Sequence, residues 1–403
     1  MRGLLAVAGL VVAAPGVLAA LHLGGLAVAS WFYRVPGGRL GGPGGPVPRL
    51  RFRVIVPAHN EEPVIGATLA ALSAALRPGD RLLVVADRCT DATGSIARGF
   101  GAEVLVRGPD RPVGRAAARQ DGVDHALRAD DWDAVLFVDA DSVVDPGFLD
   151  ACERALVAGA PAVQARSEAA TGGGLVARSY LAAFALQGVT IPRGRDRLGL
   201  SVRLRGTGMA LRRDVLGTHR FRAPASEDLF YSLDLCLDGV LPRHVESARL
   251  RSANVAGWRA ASAQRVRYEA GRMAAARAFT GPLLRRAVGR RSGRVACVEA
   301  AVHLLTPPLA LAVASVAGGA VLLGAAVAAG VGWAAPALAV PVGGLGLLVL
   351  AVVTGLVQAR ADRGTWLALL AAPWYVLFKL AVQLRALASL RRPGTEYGAT
   401  PRE

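Results

Sequence analysis

Long apolar runs near both ends frame a central stretch in which short apolar blocks alternate with amphipathic ones. Residues 3–32 are apolar apart from His22 and Ser30, and a membrane-spanning helix needs about 20 such residues. The run predicts an N-terminal anchor over 1–34. The competing reading is a signal peptide, since Arg2 precedes the run and AVAS resembles a cleavage site. The run exceeds a usual signal core, so an uncleaved anchor is expected. A Gly/Pro-rich linker follows at 35–50. Beyond residue 301, apolar segments at roughly 302–331, 335–357 and 365–386 predict a membrane region over 301–390, before a tail at 391–403.

In the centre, RFRVIVP reads as a strand and leads into EEPVIGATLAALSAAL, which has helical spacing and acids at its start. RLLVVAD, AEVLVRG and AVLFVDAD are three more strand signals, separated by a short helix after RCTDATG and by AAARQDGVDHALRA. This alternation predicts an α/β fold, a Rossmann-like and mostly parallel sheet with helices on both faces. Ligands of such sheets bind outside the carboxyl ends of the strands.

Acids stand where those ends fall. Glu61 follows the first strand, Asp87 ends the second, and Asp139 and Asp141 end the fourth. Carboxylates gathered at one edge repel one another unless a cation or a donor-rich ligand lies among them. Two apart in an extended segment, Asp139 and Asp141 point to the same side. That pair suits Mg²⁺, which takes one or two carboxylates and completes its shell with phosphates. An isolated DAD reads more simply as a solvated loop; the acids at neighbouring strand ends turn the reading toward a cation site.

Charge changes the picture in one region. Net charge is +17, with Lys379 as the single lysine, and so general an arginine bias says little about partners. Ten arginines fall within 259–294 against one acid, Glu269. Just ahead of a long apolar region, they read as juxtamembrane charge facing anionic lipid, with a basic interfacial segment at 276–300. No nucleic-acid partner is expected, because only Tyr268 and Phe279 interleave aromatics there. The loop near 358–363 is basic and that near 331–336 uncharged, which places the central domain in the cytoplasm. Three C-terminal crossings would carry the arginine-bearing tail outside, against the same rule, unless the last segment is re-entrant. Cys89, Cys152, Cys236 and Cys297 form no CxxC and are expected to be reduced. No GxxxxGK[ST] phosphate loop is present.

Six stretches then carry a resemblance: VIVPAHNEEPVIGATLAAL, VVADRCTDATG, LFVDADSVVDPGFL, LRGTGMALRRDVL, SEDLFYSLDLCLDG and QRVRYEAGR. In this order they resemble the family 2 glycosyltransferases of the membrane-anchored, processive type, the enzymes similar to cellulose, chitin and hyaluronan synthases. The resemblance covers about 50–275. It implies a GT-A domain over 51–275 in a multi-pass cell-membrane protein, a nucleotide-sugar donor (UDP-sugar favoured) and Mg²⁺ or Mn²⁺ as cofactor. It further implies that Pro57, Glu61 and Asp87 hold the base and ribose. Asp139 and Asp141 become the DxD motif for metal and diphosphate, and Asp228 of SED the general base. Gln264, Arg267 and Tyr268 form a variant of QxxRW, with Arg267 on the diphosphate side and Gln264 and Tyr268 toward the acceptor. Tyr in place of Trp leaves processivity open. Arg115 stands where relatives often carry lysine, with the charge kept and the geometry changed.

Gly206, Thr207 and Gly208 of GTGM are assigned to the acceptor side, the glycines permitting close backbone approach; a bulge before the strand MALRR is the competing reading. For Asp228 the competing reading is a helix cap, which Ser226 or Glu227 would serve equally. The expected function is inverting, metal-dependent transfer from a nucleotide sugar to a glycan or lipid-linked acceptor at the cytoplasmic membrane face. A base opposite the leaving group implies the inversion. The alternative is a non-catalytic transport or structural membrane protein with a nucleotide-binding domain. Transport predicts ionisable residues within the apolar segments, and 302–357 holds only His303. Four membrane segments are few for a polymer channel, so secretion points to an oligomer or a partner.

Overall fold

The first strand signal folds as β1 (Phe52–Ala58), followed by α2 (Glu62–Ala75), β2 (Arg81–Asp87), α3 (Thr93–Gly99) and β3 (Glu103–Arg107), with α1 (Arg2–Ser30) preceding them. Next come α4 (Arg115–Ala126), β4 (Ala134–Phe137), β5 (Ser142–Val144), α5 (Phe148–Val157) and β6 (Ala162–Ala169). After them run α6 (Ile191–Arg197), β7 (Met209–Arg212), α7 (Arg213–Thr218), α8 (Glu227–Leu237) and β8 (Arg243–Ser252). In this computed structural model residues 2–35, 49–169, 178, 181, 183–222, 226–252, 258–289 and 293–389 are described. The 391–403 tail and nearly all of the 35–50 linker lie outside them.

The eight strands form one sheet in the order β3-β2-β1-β4-β7-β6-β8-β5. β1 pairs in parallel with β2 and β4, β2 with β3, and β6 with β8, while β7 runs antiparallel to both β4 and β6, and β5 to β8. The sheet is therefore mixed, with its parallel half where the strand signals were clearest. Both faces of β1, β2 and β4 are covered, which is why Val54–Val56, Leu82–Ala86 and Ala134–Phe137 are apolar without alternation. Alternate residues face opposite ways: Val54, Val56 and Leu136 pack with Ile65 and Leu69 of α2, whereas Ile55, Val85 and Phe137 pack with Ala118 and Val123 of α4.

Most of the basic stretch lies in one helix, α9 (Trp258–Val288), and the boundary expected after residue 275 falls within it. The apolar segment expected at 302–331 is two helices. α10 (Arg294–Leu305) ends at Thr306, and α11 (Leu309–Ala328) starts after Pro307 and Pro308, where the missing N–H groups and ring clashes bar a continuous helix. α12 (Ala339–Ala359) follows. Among the described residues, three helical stretches are long and apolar enough to cross a membrane: Arg2–Ser30, Leu309–Ala328 and Ala334–Ala359. The last apolar segment is a helix pair, Arg363–Ala371 and Pro373–Gln383, bent by 68°.

α1 packs along α11 through small residues. A Cβ on Gly16 would lie 2.5 Å from the Ala312 carbonyl oxygen, and one on Gly319 2.6 Å from Ala13 Cβ; glycines at such places let helix backbones meet. Next to Pro15, the Ser315 hydroxyl donates to the Val12 carbonyl at 2.5 Å and accepts the Gly16 N–H at 3.1 Å, a side chain inserted into the helical ladder. At its other end α1 meets α6. Its Leu26 carbonyl oxygen lies 2.3 Å from where a Gly194 Cβ would stand, and His22 and Arg195 both bind Glu299 of α10 at 2.8 Å.

Candidate active site

The sheet's parallel half delivers the expected acids to one edge. β1 ends with Pro57 half-buried, and Asn60 takes a left-handed turn at φ +52°. The following loop interlocks with the end of β2: the Glu61 N–H donates to Thr93 Oγ1 at 2.8 Å and the Glu62 N–H to Asp91 Oδ2 at 3.1 Å. Glu61 itself occupies the N-cap position of α2. Asp87 is buried, and arginines meet both its oxygens: Arg88 at 3.0 and 2.7 Å, and Arg107 at 2.5 Å. Its carboxylate thus braces the β2–β3 edge, and a nucleoside contact there competes with two guanidinium groups.

At the end of β4 the Asp139 N–H donates to Thr207 Oγ1 at 3.1 Å, and the Thr207 hydroxyl donates to Ser142 at 3.3 Å. Gly206, Thr207 and Gly208, expected on the acceptor side, form a buried turn against this strand end, with the Gly208 N–H donating to the Phe137 carbonyl at 2.8 Å. Gly208 has φ +64°, and a Cβ there would lie 2.1 Å from Leu250. Only glycine suits both demands.

Cations converge on Asp139. Arg119 donates to Oδ1 at 3.0 Å and Arg115 lies 3.6 Å from Oδ2. Asp139 holds the Arg115 guanidinium above its ordinary pKa, and Tyr268, Glu227 and Asp141 act in the same direction. Burial holds Arg267 below its ordinary value; Arg115 adds to this, while Tyr268 and Glu227 pull the other way. These shifts place Asp139, Asp141, Glu227, Arg115, Arg267 and Tyr268 in one field, although they come from four separated stretches of the chain. Tyr268 is exposed on α9. The Gln264 side chain lies outside the described residues.

Asp228 sits in the first turn of α8, after Ser226 in a left-handed conformation. Its Oδ1 accepts the Leu229 N–H at 2.8 Å and lies 3.8 Å from Arg203. Ser226 makes no side-chain cap bond, so the capping reading finds no support in that residue. Glu227 points elsewhere: it is buried and paired with Arg119. Sequence reasoning missed both Arg119 and Glu227. The available signal was an arginine set among small residues in AAARQDG, on the face of α4 that meets the sheet.

The family profile described as "Glycosyltransferase like family 2" matches residues 48–271, more than half of the chain. The chain belongs to this glycosyltransferase family. Its mixed α/β sheet is of the GT-A-like kind. A curated relative, the "Probable glycosyltransferase YdaM" of Bacillus subtilis (strain 168), is 34% identical over 100 residues, 23% of each chain. The match thus spans about a quarter of that relative's length. Among solved structures, the mannosyltransferase PcManGT of Pyrobaculum calidifontis, in complex with GDP-Man and Mn²⁺, is 19% identical with a TM-score of 0.48, covering 90% of this chain and all of that one. Glucosyl-3-phosphoglycerate synthase from Mycobacterium tuberculosis, in complex with Mn²⁺, UDP and glucosyl-3-phosphoglycerate, is 22% identical with a TM-score of 0.41, covering 61% and 85% of the two chains.

Proposed function

We propose that this glycosyltransferase is a multi-pass membrane protein of the processive, synthase-like type. On this reading it transfers a sugar with inversion, from a nucleotide sugar to a glycan or lipid-linked acceptor, at the cytoplasmic face. The observation that carries the reading is the convergence of Arg115 and Arg119 on Asp139 at the end of β4, with Glu227 on Arg119, beside a helix that leads into the membrane region.

The donor set fits Mg²⁺ or Mn²⁺: hard carboxylate oxygens at a strand end, with a guanidinium already drawn to where positive charge is favoured. Asp139 and Asp141 would hold the ion, which supplies Lewis-acid stabilisation of the leaving diphosphate. Arg267 and Arg115 bind phosphate oxygens, Arg267 by its planar fork. Pro57, Glu61 and Asp87 border the nucleoside side. Asp228 takes the proton of the acceptor hydroxyl, opposite the leaving group. Carboxylates close by favour the positive charge that develops at the anomeric carbon. UDP-sugar is the favoured donor, and cell-surface polysaccharide or glycolipid synthesis the favoured setting.

The test is a donor screen on purified full-length protein, following UDP or GDP release with and without acceptor lipid. Release should require Mg²⁺ or Mn²⁺, and Asp141→Asn should lower it on the order of a hundredfold or more, as expected when a Lewis acid is lost. Full turnover in EDTA would overturn the metal-dependent mechanism.

A further inference from the structure

Arg119 belongs to none of the stretches that carry the proposed roles, yet it joins three of them. Its side chain is 1% exposed. Nη2 donates to Asp139 Oδ1 at 3.0 Å and to the Gly206 carbonyl at 3.0 Å, and Nη1 pairs with Glu227. These partners lie 20, 87 and 108 residues away in sequence. A buried guanidinium is tolerated only when its charge is met, and here two carboxylates and a carbonyl meet it. The turn at Gly206 is shaped around it: φ is +80°, and a Cβ would stand 2.8 Å from Nη2. Arg115 differs. It is half-exposed and lies 3.6 Å from the other oxygen of Asp139.

We infer that Arg119 is a positioning residue for the diphosphate and metal site. It fixes Asp139 through Oδ1, turns Oδ2 toward the open side that Arg115 occupies, and ties this carboxylate through Glu227 to the first turn of α8, where Asp228 stands. Arg119 is the permanent cation of the site and Arg115 the exchangeable one. Lysine cannot replace Arg119, because one planar fork meets Asp139 and Gly206 through Nη2 and Glu227 through Nη1. The role rests on the reading of Asp139 and Asp141 as metal ligands.

The test is Mn²⁺ titration of the full-length protein, followed by electron paramagnetic resonance with UDP or GDP present. Arg119→Met alone leaves Glu227 buried without its partner and endangers folding, so it is paired as Arg119→Met with Glu227→Gln; Arg119→Lys is the second variant. Both should weaken Mn²⁺ binding about 10–100-fold, the usual effect of losing a group that orients a ligand. Glu227→Gln alone, which leaves Arg119 on Asp139, should weaken Mn²⁺ binding less than either Arg119 variant. Wild-type affinity in either folded Arg119 variant overturns the inference while the metal site stands, provided Asp141→Asn loses binding. If wild type and Asp141→Asn alike bind no Mn²⁺, the metal site falls and this role falls with it.

Discussion

Two adjacent acids, Glu227 and Asp228, face different neighbours: Arg119, which also holds Asp139, and Arg203. This division gives them separable roles. Asp228→Asn should leave donor binding nearly intact, since Asp139, Asp141 and Arg267 lie elsewhere, and should lower transfer by about 10²–10⁴, the usual worth of a general base. Donor affinity by titration and transfer rate at saturating donor, measured on one preparation, check this. Retained transfer would remove Asp228 as the base. Loss of donor binding would move it into the nucleotide site. The DAD motif was legible from sequence because its two acids are local and end an apolar strand. Arg119 was not, because everything it does is long-range. A motif records spacing along the chain, and a buried cation records spacing across the fold.

Among the elements, those that read most clearly were buried on both faces. β1, β2 and β4 each carry an apolar run: Val54–Val56, Leu82–Ala86 and Ala134–Phe137. β6 and β8 escaped notice because AVQARSEA and RHVESARLRS carry charges. Inside the sheet those charges cancel: Arg166 pairs with Glu246, which also binds Arg193 at 2.5 Å and His244 at 3.0 Å. Burial pushes the Glu246 carboxyl up, but the hydrogen bonds from His244 and Arg193 outweigh it and hold the group well below the carboxylate range. The membrane helices read as lengths but not as contacts, since small-residue seams resemble any Ala/Gly-rich run. The seam between α1 and α11 can be tested directly. Gly16→Leu forces a side chain into the Ala312 backbone and should cost about 1–3 kcal/mol by overpacking, seen as a lower Tm in detergent. Gly25→Leu, where an added Cβ meets nothing within 4 Å, should leave Tm unchanged. Equal Tm values for the two would show that the seam contributes no stability.

For the whole molecule, topology is the statement that binds the rest together. With α11 and α12 each crossing once and the bent pair at 363–383 returning to its own side, the arginine-rich tail would lie on the catalytic side, and the charge conflict in the sequence disappears. A cysteine at Gly332, between the two spans, should label from outside intact cells. One at Ala361 should label only after permeabilisation. The reverse pattern would put the sugar-transfer domain outside, away from cytoplasmic nucleotide sugars, and would defeat the proposed function.

The close approach of α1 and α11 also has a consequence in time. Gly16 and Ser315, which touch, are 299 residues apart. A ribosome adding roughly 5–20 residues per second needs on the order of 15–60 s to travel between them. If α1 spans the bilayer with the sheet on the ribosome's side, as proposed, its glycine seam lies against lipid for that interval. A nascent α1 is therefore exposed to any other helix carrying a small-residue face. A chaperone or insertase that shields it until residue 309 emerges would raise the yield of correctly assembled enzyme without touching the finished protein.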